Sequence, residues 1–116
     1  MDDRLADEAR SYTERQCPQM LDAGSRLDSL TYDRASRTLT RWITLYGVLD
    51  NEETLRQMES DGPRLRGVLL AQTETNTDLQ QSRRYGVNFR FVYRSASRPA
   101  FRQEFILTPN DYRREN

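Results

Sequence analysis

Between residues 37 and 48 the chain reads "RTLTRWITLYGV", with Leu39, Ile43 and Leu45 falling on one side and Thr40, Trp42, Thr44 and Tyr46 on the other. A period of two is the signature of a strand with one buried face. Leu27, Leu30 and Tyr32 precede it, and "DRAS" at 33–36 supplies turn residues, so 27–48 is expected to form a hairpin. The alternation returns in "YGVNFRFVYR", where Val87, Phe89, Phe91 and Tyr93 oppose Asn88, Arg90, Val92 and Arg94. "SASRP" then turns the chain and "AFRQEFILT" follows with Phe101, Phe105 and Leu107 in phase, a second hairpin over 86–108.

Two stretches carry the helical period instead. Residues 1–17 place Leu5, Ala6, Ala9, Tyr12, Thr13 and Cys17 on a narrow stripe, with Asp2 or Asp3 as N-cap. The helix should stop at Cys17, because Pro18 pushes the residue before it out of the α region. Residues 51–73 read as an interrupted helix: Asp50 and Glu53 have capping-box spacing, Leu55 and Met58 face inward, and "SDGPRLRG" breaks the run before Leu65, Val68, Leu69 and Leu70. "PQMLDAGS" and "TETNTDLQQSRR" read as connectors. The expected architecture is a single α+β domain over 1–116, in the order α-ββ-α-ββ, with a four-stranded antiparallel sheet and helices packed on one face.

Composition narrows the chemistry. All eighteen basic residues are Arg, balanced by eighteen acidic residues, and there is neither Lys nor His. Without imidazole or amine there is no conventional Ser/His/Asp or Cys/His nucleophile and no Schiff-base lysine. A formal charge of zero gives no whole-molecule field toward nucleic acid or anionic lipid. No transmembrane or signal-peptide run is present in the sequence. No glycine-rich phosphate cradle or zinc spacing occurs, and the paired acids Asp2–Asp3 and Glu52–Glu53 fit first helical turns better than acid/base or metal sites. The reading is therefore no enzyme, no catalytic residues, no metal and no cofactor. Cys17, the lone cysteine, lies at a helix C-terminus, where partial negative charge disfavours a thiolate; it is expected to be a small buried hydrophobe.

Several segments in this order, "CPQMLDAGSRLDSL", "TLTRWITLYGV" and "GVNFRFVYRSASRPAFRQEFILTPNDY", resemble a family of small bacterial cell-envelope proteins, many membrane-tethered and without assigned activity. The resemblance covers residues 16–112 and implies an α+β domain. It also implies a disulfide between the segment after the second helix and the one after the terminal "TP" motif. Here those segments read "QTETNTD" and "TPNDY", without cysteine. By resemblance the location is periplasmic or membrane-tethered; a chain complete as given would be cytoplasmic.

If Leu39, Ile43, Phe89, Phe91, Phe101 and Phe105 face the helices, then Trp42, Tyr46, Arg90, Arg94 and Arg102 face away from them. Trp, Tyr and Arg are enriched at interaction hot spots. These five residues form the candidate partner-binding set for a non-catalytic module that binds a protein or itself, in the latter case as a homodimer. Two other readings stay open. One is a phage or mobile-element inhibitor. The other is a nucleic-acid binder using Arg90, Arg94, Arg98 and Arg102 on phosphates and Trp42 or Tyr46 for stacking.

Overall fold

The computed structural model describes residues 1–113. Helix α1 (Asp2–Gln16) leads into β1 (Gln19–Asp22), β2 (Ser25–Asp33) and β3 (Thr38–Leu45). Helices α2 (Glu52–Ser60), α3 (Gly62–Thr75) and α4 (Gln80–Tyr85) follow, then β4 (Asn88–Ser95), β5 (Arg102–Leu107) and a short α5 (Pro109–Tyr112). The chain is a single α+β domain with one five-stranded sheet in the order β1-β2-β3-β4-β5.

This corrects the expected four-stranded antiparallel sheet in two ways. The stretch read as a connector after Pro18 forms β1, pairing Gln19 with Leu27 and Met20 with Arg26. In addition, β3 and β4 run parallel, with Thr38 opposite Asn88 and Leu45 opposite Ser95, so the sheet is mixed. The helices between them carry the chain back to the end where β3 began, as a parallel pair requires. Part of that return is α4, where the sequence reading expected a polar connector.

Cap assignments also shift. Asn51, not Asp50, caps α2 by accepting from the Thr54 N–H at 2.9 Å. Asp50 instead accepts from the Ser95 hydroxyl and from the Ser97 N–H, tying the β3–α2 connection to the end of β4. The N-cap of α1 is Met1, while Asp2 accepts from the Tyr32 hydroxyl at 2.6 Å and so pins the helix to β2. Lower along α1, the Thr13 hydroxyl exchanges hydrogen bonds with the Leu30 N–H and C=O.

The core lies between the sheet and the helices. Leu5 and Leu70 pack with Val87, Phe89, Phe91, Phe105, Leu107 and Tyr112. Val87 and Leu107 are wholly buried, and each such side chain contributes about 1.5–3 kcal/mol through burial. Tyr112 closes the sequence end of the core: its ring meets Phe89 edge-on at 5.6 Å and its hydroxyl donates to Val87 O at 2.7 Å. Phe101, expected on the helix-facing side of the last strand, lies before β5 in the turn, its N–H bonded to Arg98 O.

Candidate binding face

The sheet has one face under helices and one without. Pairing register and alternation send Leu39, Arg41, Ile43 and Leu45 of β3 toward the helices and Thr40, Trp42 and Thr44 away from them. Arg90, Val92 and Arg94 of β4 and Arg102, Glu104 and Ile106 of β5 share the uncovered face with them. Val92 is nevertheless 0 % exposed although no helix among the described residues lies over it. Long side chains cover it, with Trp42 directly across the ladder on β3 and Glu104 across on β5.

Trp42 is the centre of this cover. The guanidinium carbons of Arg94, Arg90 and Arg102 lie 5.3, 5.4 and 5.7 Å from its ring centroid, within cation–π range. The indole N–H donates to the Thr31 hydroxyl at 2.8 Å, which fixes the ring against β2. Four of the five sequence-predicted residues, Trp42, Arg90, Arg94 and Arg102, are thus brought together. Tyr46 is not: it follows β3 near the β1 edge, with its hydroxyl 3.4 Å from Asp22 O and 3.5 Å from Met20 Sδ.

Two carboxylates organise the arginines. Glu104 accepts from Arg90 Nε at 2.6 Å and from Arg102 Nε at 2.9 Å. Hydrogen bonds from Arg102 and Arg90 hold the Glu104 carboxyl below its usual range, outweighing slight desolvation. Asp28 accepts from Arg26 at 2.7 Å, from Arg94 at 3.3 Å and from the Thr44 hydroxyl. Burial pushes the Asp28 carboxyl up, but the Thr44 and Arg26 hydrogen bonds and the Arg26 and Arg94 charges more than offset it, so it too titrates low. Glu104 shares sequence parity with Arg102 and was findable by that signal. Asp28 was not, because a register shift between Leu27 and Ser29 inserts it as the extra residue of a bulge.

Around Trp42 four guanidinium groups share two carboxylates, Glu104 and Asp28, which leaves this patch locally positive in a chain of zero formal charge. A guanidinium carries five N–H donors, and the bonds above use only some of them, so donors remain directed at solvent. The face can therefore stack, donate in pairs and attract anions.

Cys17 offers no competing chemistry. It is half-buried rather than enclosed, and desolvation followed by the nearby Asp28 charge pushes its thiol up, away from the reactive thiolate. Among the described residues no group of His, Cys, Asp and Glu could hold a metal ion, and no helix is long and apolar enough to cross a membrane.

Fold and face together define an α+β domain whose mixed sheet is helix-covered on one side and arginine-lined on the other. The chain belongs to a family described as a domain of unknown function (DUF8479), whose model matches residues 1–101. No curated protein matches the chain. Its fold is similar to that of a putative secreted protein from Pseudomonas aeruginosa, solved by crystallography: the TM-score is 0.64 at 14 % identity, over 90 % of each chain. At that identity the likeness shows the fold alone. The family carries no assigned function, and these matches say nothing of a membrane tether.

Proposed function

We propose that this domain is a non-catalytic binding module whose uncovered sheet face holds a protein partner presenting acidic side chains. The observation that carries the reading is the convergence of Arg90, Arg94 and Arg102 on Trp42. An indole with its surrounding guanidinium groups already held by Glu104 and Asp28 is pre-organised, so little side-chain entropy is lost when a carboxylate arrives. Arginine forks suit planar carboxylates, and Trp and Arg are the side chains most often dominant at interface centres. The fold likeness to a secreted protein favours a partner in the envelope or outside the cell.

Trp42 is the only tryptophan, so its emission reports on this face directly. Poly-glutamate added to the folded protein is expected to shift or quench that emission saturably, and the response should disappear in the Arg90→Ser/Arg94→Ser variant. A response to single-stranded DNA but not to poly-glutamate, with steep loss on adding salt, would transfer the face to nucleic acid. No response to either polymer would make the face a scaffold and overturn the reading.

A further inference from the structure

The strand that supplies Trp42 to the uncovered face turns Arg41 to the covered one. Along β3 the inward positions read Leu39, Arg41, Ile43 and Leu45, so a permanent charge interrupts an otherwise apolar row. Leu30 lies across from it on β2 and Phe91 on β4. On the uncovered face Arg26, Arg90, Arg94 and Arg102 are each tied to a carboxylate. The Arg41 guanidinium makes no hydrogen bond or ion pair with any described residue. Arg41 is half-buried beside apolar side chains with its guanidinium still reached by water, and such local violations of pattern concentrate at functional sites.

What Arg41 faces is a cleft of about 530 Å³ between the sheet and helices α2 and α3. Its walls are Ile43, Leu45, Phe91 and Phe105 from the sheet and Leu65 and Leu69 from α3. That volume falls in the range that encloses small organic ligands, and the wall is mostly apolar with few polar groups, as such sites are. Arg41, Tyr93 and Asp22 line it from the sheet, and Ser25, Thr54 and Gln72 are the other polar residues of the wall. Tyr93, whose hydroxyl likewise has no hydrogen-bond partner among the described residues, lines the cleft with Arg41. Burial raises the Tyr93 hydroxyl's pKa, the Arg41 charge lowers it and Asp22 raises it, which places Arg41 and Asp22 each within electrostatic reach of Tyr93. Asp22 is already engaged by the Gly24 N–H at 2.9 Å, and its negative charge disfavours a doubly charged ligand head nearby.

We infer that the cleft binds a single-chain amphiphile with a monoanionic carboxylate head, its acyl body lying among Leu45, Leu65, Leu69 and Phe105 and its carboxylate meeting Arg41 and the Tyr93 hydroxyl. The guanidinium fork and a phenolic O–H can satisfy both oxygens of a planar carboxylate through charge-assisted bonds. This inference does not depend on the function of the opposite face, since Trp42 takes no part in the cleft.

Displacement of anilinonaphthalene sulfonate from the wild-type protein tests it, with dodecanoate, dodecanol and dodecyl phosphate as competitors below their micellar concentrations. Dodecanoate is expected to compete saturably and about 10-fold more tightly than dodecanol, reflecting the charge-assisted pair. In Arg41→Gln that preference should fall to about threefold or less while dodecanol binding persists, and Leu69→Trp should weaken both by filling the cleft. The inference is overturned if dodecanoate shows no saturable competition, if wild type binds the acid and the alcohol equally, or if Arg41→Gln retains the full preference. Tighter binding of dodecyl phosphate than of dodecanoate would overturn the assignment of the head group. Should Arg41→Gln fail to fold, the wild-type comparison of acid with alcohol still decides.

Discussion

The two faces of this sheet are made by the same strands yet handle arginine in opposite ways. On the uncovered face Arg90, Arg94 and Arg102 are gathered over one indole and bridged by Glu104 and Asp28, so each charge has a partner in place before any ligand arrives. On the covered face the Arg41 guanidinium makes no hydrogen bond or ion pair among the described residues and borders a largely apolar cleft. Water explains how the first can be built. An exposed cluster keeps most of its solvation and needs only modest pairing energies to hold its geometry. Arg41, half-buried beside apolar side chains, keeps water on its guanidinium and has no carboxylate bonded to it among the described residues. One face is therefore a finished surface, and the other an unfinished one.

Removing apolar volume should separate the faces most strongly. Leu107→Ala, in the helix-covered core and wholly buried, is expected to cost about 2–5 kcal/mol in urea unfolding. Val92→Ala, equally buried but roofed only by side chains, should cost less, about 1–2 kcal/mol, because Trp42 and its arginines can settle into the space. A larger loss for Val92 would show that the uncovered face is packed as rigidly as the core.

Gly24 offers the next effect. A Cβ there would sit 2.3 Å from Leu49 Cγ, at the point where the segment after β3 crosses the β1–β2 turn. Gly24→Ala should destabilise by about 1–3 kcal/mol through overpacking. Leu49 also lines the cleft, so displacement of anilinonaphthalene sulfonate should change in this variant, whereas Trp42 emission should not.

Smaller losses test the indole itself. Trp42→Leu preserves apolar cover over Val92 but removes the π face, and the expected loss is about 0.5–1 kcal/mol for each guanidinium contact at an exposed site. Acid should act on the same face through Glu104 and Asp28. Their folded pKa values lie below the ordinary 4.5 and 3.8, so their contribution is complete above about pH 4.5 and is lost as pH falls through the lowered folded values. Urea midpoints measured from about pH 6 down to about pH 3 should fall less steeply in Glu104→Gln than in wild type. The smallest effect belongs to Arg41. With no hydrogen bond or ion pair to lose among the described residues, Arg41→Met should leave stability within about 0.5 kcal/mol of wild type or raise it, whereas Arg94→Met should lower it.

Alternation made most of this legible. The parity of β3 and β4 alone separated Trp42, Arg90 and Arg94 from Leu39, Ile43 and Phe89, and Arg102 followed from the phase of Phe105 and Leu107. What alternation could not show was pairing between strands distant in sequence. β1 is four residues long, with Met20 and Leu21 largely exposed, so it carries no apolar signal of its own. The parallel β3–β4 pair depends on where the helical return leaves the chain, which no local pattern encodes. The bulge at Asp28 breaks the very parity on which such readings rest. Tyr46 shows the opposite failure: parity predicts it beside Trp42, but the strand ends at Leu45 and the hydroxyl lies against Met20 and Asp22. Arg41 was visible as an inward charge in the pattern Leu39-Arg41-Ile43, yet its meaning required the cleft.

The separation of the two faces is tested most directly by the single indole N–H resonance of Trp42 in a proton–nitrogen correlation spectrum. Poly-glutamate should move that resonance saturably, and dodecanoate should leave it in place while shifting the amides of Leu65 and Leu69. A stationary indole under poly-glutamate, or equal movement under both additions, would contradict the account of a finished, acid-binding face set against an independent cleft.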